Sequence, residues 1–200
     1  MEDALKKISW PVLTERLSLR RVESADVEAL WRYRQLVEVT QWITAGPESL
    51  EDFLAMFVAK DYPLKDLAVE LDTGQGTELI GTVMLNIVDG WGQSEVEQSA
   101  KGVEGNLGWS FDPAYGGKGY ATEAIRAAIG LCFGPLGLPR VTAECFAANE
   151  PSWKLMERVG MRKEFYGRKD SLHRNGEWMD SMGYARSEEH TSELQSPVHL

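Results

Sequence analysis

Two segments hold residue types at spacings that chemistry can use. In the first, Leu107-Gly108-Trp109-Ser110-Phe111 reads as a short strand that Asp112-Pro113 ends. Ala114-Tyr115-Gly116-Gly117-Lys118-Gly119 then leads into the helix-forming run Tyr120-Ala121-Thr122-Glu123. A strand that passes through a glycine-rich turn into a helix aims free N–H groups and the helix's positive end at one point, a general design for holding an anion. Spacing excludes two nucleotide loops. The pattern G-x-x-x-x-G-K-[ST] fails because Gly119 follows Lys118 and Asp112 stands where its first glycine belongs. The pattern G-x-G-x-x-G fails because Gly117 and Gly119 are followed by Thr122. In the second segment, Asn149-Glu150-Pro151 opens a short helix over 152–159 that Gly160 stops, offering an amide and the Ser152 hydroxyl at its start.

The remaining elements must position these two segments. Glu15 to Val22 alternates Leu17 and Leu19 with polar neighbours, a half-buried strand. Ser24 is expected to cap a helix carrying Val27, Leu30 and Trp31 on one face. Gly46-Pro47 is expected to open a second helix, with Leu50, Phe53, Leu54, Phe57 and Val58 as a core stripe. Residues 67–71 and 79–85 read as a hairpin around Asp72-Thr73-Gly74-Gln75-Gly76. A long polar loop over 89–105 follows. A helix with Ala121, Ile125, Ala128, Ile129 and Cys132 on one face comes next, then a strand over 141–146. Residues 162–168 and 177–185 read as closing strands. Trp31, Trp42 and Trp91 are expected in core or loop packing, with an acceptor pocket as the alternative, and His173 in a polar turn has no metal partner at ligand spacing.

The chain has 200 residues, 43% of them hydrophobic, and a net charge of -10, which fits one domain and argues against a general nucleic-acid binder. Cys132 and Cys145 make no disulfide framework, which points to a reducing, cytoplasmic setting. The N-terminus has no signal-peptide pattern, and the 13 uncharged residues between Arg126 and Arg140 are too few to span a bilayer. Residues 1–186 are expected to form the domain. Residues 187–200 are aperiodic and resemble a translated sequencing adapter, so they are expected to be a non-native, disordered tail.

Gly116-Gly117-Lys118-Gly119-Tyr120-Ala121 resembles [QR]-x-x-G-x-[GA], the pyrophosphate loop of the GNAT N-acetyltransferase superfamily, with Gly116 replacing the usual Gln or Arg. The run from Asn106 to Ala124 is similar to that family's strand, loop and helix, and Ala148 to Met161 to its next helix. Thr14-Glu15-Arg16-Leu17-Ser18-Leu19-Arg20 resembles the opening strand of the RimJ/RimL-like branch, which acetylates protein N-termini and small amines. The resemblance implies an α/β (α+β) fold with a mixed, mostly antiparallel sheet, flanked by helices and splayed at its centre. It implies transfer of an acetyl group from acetyl-CoA to a primary amine, without metal, by a monomer or homodimer. Backbone groups of Trp109, Ser110 and Phe111 would hold the pantetheine and thioester. Gly116, Gly117, Lys118, Gly119, Tyr120, Ala121 and Thr122 would hold the pyrophosphate, and Asn149 the pantetheine arm. Where relatives carry a tyrosine acid this chain has Met156, and where they often carry a glutamate base it has Asn106; Ser152 and Glu104 are the expected substitutes. The alternative is a non-catalytic module that binds acyl-CoA.

Overall fold

The computed structural model describes residues 4–44, 46–59 and 65–188. The strands are β1 (Val12–Leu13), β2 (Leu17–Arg21), β3 (Asp66–Asp72), β4 (Thr77–Val88), β5 (Glu104–Phe111), β6 (Arg140–Phe146), β7 (Arg162–Leu172) and β8 (Trp178–Ser187). They form one eight-stranded sheet in the order β1-β2-β3-β4-β5-β6-β8-β7. Every neighbouring pair is antiparallel except β5 and β6. The helices are α1 (Val27–Arg34), α2 (Val37–Thr40), α3 (Leu50–Ala59), α4 (Tyr120–Phe133) and α5 (Glu150–Arg158).

Alternation along the strands divides the core between the two faces of the sheet. Leu17 and Leu19 of β2 and Leu67 and Val69 of β3 join α4, through Ile125, Ala128, Ile129 and Cys132, and α5, through Leu155 and Met156. Ala68 and Leu79 turn the other way and meet Val27, Leu30 and Tyr33 of α1 and Phe53 and Phe57 of α3. The register jumps from Val69↔Gly81 to Glu70↔Leu79, leaving Ile80 as an extra residue in β4. This bulge resets which side chains face which layer.

The parallel pair explains the site. β5 and β6 are paired at Glu104↔Arg140, Gly105↔Val141 and Asn106↔Thr142 and no further. Asn106 Nδ2 donates to Thr142 Oγ1 at 3.2 Å where the pairing ends. Beyond this point the strands separate, as the resemblance implies.

Several sequence expectations are corrected. The turn before α1 is capped by a reciprocal box between Glu23 and Asp26, with Ser24 inside it. Asp26 is held there because Arg20 bonds both its oxygens, at 2.8 and 2.7 Å. α3 begins at Leu50, so Pro47 precedes it. The Ser49 hydroxyl accepts from the Asp52 amide at 3.1 Å and supplies the start signal. Only Phe53 and Phe57 of its stripe are fully buried, because α3 meets the domain along one narrow edge; Leu50, Leu54 and Val58 are 38%, 43% and 65% exposed. Ser94–Ala100, within the expected loop, is a 3-10 helix. β8 also runs past the expected boundary at residue 186. Ser187 pairs with Arg140, and Glu188 N donates to Pro139 O at 3.2 Å. Residues 189–200 of the expected tail lie outside the described residues.

Candidate active site

Where β5 leaves β6, its backbone polar groups lose their partners. Asp112 N donates to Ile80 O at 2.9 Å just beyond the β4–β5 ladder. Antiparallel alternation then directs the peptide groups of Gly108 and Ser110 toward β4 and those of Leu107, Trp109 and Phe111 into the gap. The ladder between β6 and β8 is bracketed by Glu188 N to Pro139 O, 3.2 Å, and Ala147 N to Asp180 O, 2.8 Å. By the same alternation Glu144 and Phe146 turn their peptide groups into the gap from the other side. Of the three β5 residues expected to bond the cofactor arm through backbone, Trp109 and Phe111 are so placed. Ser110 is corrected: its peptide belongs to β4.

The gap is part of a cleft of about 550 Å³ lined by Trp109, Ser110, Phe111, Asn149 and Ser152. Asn149 occupies the N-cap position of α5, yet its side chain makes no capping bond. Its amide is therefore spare for another partner. Ser152 is half-buried and, with Cys145, lines this cleft. Burial pushes the Cys145 thiol above its ordinary value, and the nearby Ser152 hydroxyl offsets this in part. Met156 is fully buried in the α5 core layer and does not line the cleft.

A wider cleft of about 1050 Å³ adjoins the first and shares Phe111, Ala121, Pro151 and Leu155 with it. It contains Gly116, Gly117, Gly119, Tyr120, Ala121 and Thr122. Gly117 and Gly119 have φ of 75° and 82°, which glycine adopts without strain. A Cβ on Gly117 would meet nothing within 4 Å, so this backbone is bare toward the cleft. Gly119 is the N-cap of α4 and provides no side-chain cap. Glu123 N donates to Gly119 O at 3.1 Å, and the N–H groups before it are left for an anion. These features fit the phosphates of an acyl-CoA. Lys118 differs: its carbonyl accepts from Arg16 at 2.9 Å, while its ammonium lies over the Tyr115 ring at 5.7 Å and does not line the cleft.

Arg16, at the start of β2, braces the loop. Its backbone N donates to Glu123 Oε1 at 2.8 Å and its Nε to Oε2 at 2.7 Å. Thr14 Oγ1 adds a bond to Oε1 at 2.6 Å. Burial alone would raise the Glu123 carboxyl; the bonds from Thr14 and Arg16 overcome it and hold the group below the usual carboxylate range. Behind β5, Ser110 Oγ lies 3.2 Å from Thr82 Oγ1, which accepts from Arg34 Nη2 at 2.8 Å. Arg34 also faces Asp66 at 3.6 Å. Burial raises the Asp66 carboxyl to about 6 against the opposing charges of Arg34 and Lys65.

Glu104 is not brought to this site. It lies at the paired end of β5, 3.5 Å from Arg140, and lines neither cleft. The charged side chains that do line the first cleft are Glu38 and Glu144. Glu144 had a signal in the sequence, an even position on an alternating strand whose odd residues are apolar. Glu38 had none, because α2 is a single turn whose placement depends on distant contacts. His173 Nε2 sits 2.8 Å from Gln41 O, just after α2, and Arg174 Nη2 donates to Thr40 Oγ1 at 3.3 Å. Trp42 lies against Phe146 and His173, each at 6.2 Å between ring centroids. Trp42 thus lines the cleft, whereas Trp31 packs on Phe53 at 5.4 Å and Trp91 is 89% exposed. Among the described residues no cluster of His, Cys, Asp and Glu could hold a metal ion.

Comparison with known proteins agrees with this geometry. Residues 16–162 match the family described as the acetyltransferase (GNAT) domain. An uncharacterized N-acetyltransferase of Bacillus subtilis, YnaD, is 31% identical over 178 residues, which cover 89% of this chain and 97% of that protein. The crystal structure of a GNAT-family acetyltransferase from Bacillus anthracis has 34% identity and a TM-score of 0.74, over 90% of this chain and 99% of that one. Mycobacterium smegmatis RimJ, solved with CoA-disulfide, shares the fold at a TM-score of 0.69 and 21% identity, over 90% of this chain and 84% of its own. With the splayed strands and the uncapped glycine loop in place, the chain belongs to the GNAT acetyltransferase family.

Proposed function

We propose that the protein moves an acetyl group from acetyl-CoA to a primary amine on a protein N-terminus or a small molecule. The observation that carries this reading is the continuity of the two clefts. One end holds the bare N-terminus of α4 and the guanidinium groups of Arg16, Arg126 and Arg158, which outnumber its carboxylates Glu15 and Glu123. The other end has Glu38 and Glu144 as its charged lining and Trp42 and Phe146 as aromatic walls. The basic end suits the phosphates of the donor and the acidic end an ammonium. The splayed strands between them suit the pantetheine arm, bonded by Trp109, Phe111 and Asn149.

In this reading the ammonium is drawn in by Glu38 and Glu144, and one of these carboxylates takes its proton. The free amine attacks the thioester carbonyl, and N–H groups in the β5 gap stabilise the oxyanion. The C–S bond breaks as the carbonyl reforms, Ser152 donates a hydrogen bond to the departing thiolate, and the second proton lost from the nitrogen passes through water to that thiolate, leaving a neutral amide and a thiol. Glu104 is tied to Arg140 and takes no part. The described residues up to Glu188 act as one domain. The two cysteines, both free, support a reducing cytoplasmic setting. Among the described residues no helix is long and apolar enough to cross a membrane.

The test is incubation with acetyl-CoA and a panel of peptides, diamines and polyamines, followed by mass spectrometry of the amines and thiol release. Acetylated product is the expected result. Tight acetyl-CoA binding with no product from any amine would instead support the non-catalytic module.

A further inference from the structure

α2 is one turn long, and its own backbone bonds do little to keep it. Val39 N and Thr40 N donate to Leu36 O at 3.1 and 2.9 Å, and Gln41 N to Val37 O at 2.8 Å. A turn of four residues is far below the length at which an isolated helix persists in water. Val39 ties it to the α1 and α3 layer on one side. Glu38 and Trp42, spaced i and i+4, both line the first cleft. On the other side stands the tip of the hairpin between β7 and β8, whose contacts reach back across 132 and 134 residues of chain. His173 Nε2 meets Gln41 O at 2.8 Å, and a carbonyl only accepts, so Nε2 carries the proton. Nδ1 accepts from Asn175 N at 3.3 Å, so the neutral ring uses both nitrogens. The ring also stands edge-on to Phe146, with centroids 5.3 Å apart and planes at 75°, and to Trp42 at 64°. Arg174 Nη2 adds its bond to Thr40 Oγ1. The tip itself is braced by His173 N to Glu177 O and Gly176 N to His173 O, each at 2.9 Å. His173 and Arg174 stand outside the cleft and bear on α2, Trp42 and Phe146, which wall it.

We propose that His173 and Arg174 are positioning residues for the amine acceptor: the hairpin tip holds α2 in place as one wall of the first cleft. The inference rests on the acetyl-transfer reading above. A carboxylate and an aromatic face attract an ammonium, but a segment that must be ordered on binding subtracts from the affinity. The tip orders α2 beforehand, so Glu38 and Trp42 meet the amine already in place. His173 closes the third side of the aromatic group that Trp42 and Phe146 begin. The bonds of the tip go to α2 and the residue after it, not to β5 or α4, which carry the donor in this reading. The tip therefore acts on acceptor affinity and leaves donor affinity alone. Once both substrates are bound the reacting groups are unchanged, so its effect falls on KM for the amine rather than on kcat.

The experiment compares wild type with the double variant His173→Ala, Arg174→Ala and with His173→Gln, whose side-chain amide keeps a donor for Gln41 O. Both positions lie at a hairpin tip, one half-buried and one exposed, so the fold should survive. Hydrogen–deuterium exchange over residues 37–42 should be about tenfold faster or more in the double variant, with residues 107–111 and 120–133 unchanged. Acetyl transfer is followed with two probes, spermidine and an alanine tetrapeptide with a free N-terminus. For a probe that wild type acetylates, the double variant should raise KM for the amine by about fivefold or more, with kcat and the calorimetric Kd for acetyl-CoA little changed. His173→Gln should lie close to wild type in both readouts. Exchange over 37–42 that stays as in wild type, or faster exchange with an unchanged KM, would overturn the proposal. Equal losses in kcat and donor affinity would overturn it too, because they mark a merely structural role. No acetylation of either probe by wild type would count against the acetyl-transfer reading, while the exchange still decides whether the tip holds α2.

Discussion

At the scale of single residues, Ser152 and Met156 divide the tasks that their shared helix face suggested. Ser152 borders the cleft and Met156 is core. Ser152→Ala should lower kcat and kcat/KM together, by about 10- to 10²-fold if departure of the thiolate limits the rate, with acetyl-CoA affinity little changed. An unchanged kcat, measured on a variant of unaltered Tm, would remove Ser152 from the chemistry. Met156→Tyr should not restore a missing acid. It places a larger ring and a hydroxyl in a packed layer and should cost about 1–3 kcal/mol, seen as a lower Tm. Gly119→Ala tests the loop at the same scale. Its φ of 82° strains any side chain, and its Cβ would approach Arg16 Nη2 at 3.5 Å. Acetyl-CoA affinity should fall more than Tm does, and equal affinity by calorimetry would separate the loop from the phosphates.

Among the elements, the contact between β2 and the start of α4 matters most, because it sets where the loop points. Glu123 accepts from Thr14, from Arg16 N and from Arg16 Nε. Its carboxyl titrates below the ordinary value of 4.5 in the fold. Its contribution to stability is therefore complete above about pH 4.5 and is lost as pH falls through the lower folded value. Glu123→Gln should flatten that acid limb of the Tm profile and weaken acetyl-CoA binding at neutral pH; an acid limb identical to that of wild type would mean the brace carries no weight. The far end of the sheet gives a second expectation. A chain ending at Glu188 should keep its Tm, whereas one ending at Arg186 loses the Ser187 pairing and the bond from Glu188 N to Pro139 O and should melt lower. Equal melting of the two would show that the last pairing adds nothing.

For the whole molecule, the central feature is the different charge of two adjoining clefts in a chain whose net charge is -10: only Glu38 and Glu144 are charged in the first, whereas the second has three arginines beside Glu15 and Glu123. Stability also responds to pH through opposing groups. Asp66 has a folded value of about 6, raised by burial from 3.8. Its contribution is present at pH below about 4 and is lost as pH rises through about 6, the opposite sense to Glu123. The Tm difference between Asp66→Asn and wild type should therefore move in the variant's favour between about pH 4 and pH 7. A difference that stays constant with pH would place Asp66 in a better solvated position than its burial indicates.

The sequence by itself determined the strand, the glycine loop, α4 and α5, because their signals are local. A turn that needs positive φ at Gly117 and Gly119, an apolar stripe on α4 and the stop at Gly160 lie within a few residues of what they control. Alternation on β2, β3 and β4 was legible for the same reason. Tertiary structure alone decided which polar groups meet. Glu38 reaches the cleft because His173 and Arg174, far along the chain, hold the residues around α2. Glu104 misses it because β5 and β6 are paired at that end and open at the other. The exposure of Leu54 and Val58 depended on how narrow an edge α3 presents, which helical period does not specify. Separation of β5 from β6, and with it the peptide groups of Trp109 and Phe111 left for a ligand, is a relation between strands about thirty residues apart, set by packing of both sheet faces rather than by any run of neighbouring residues.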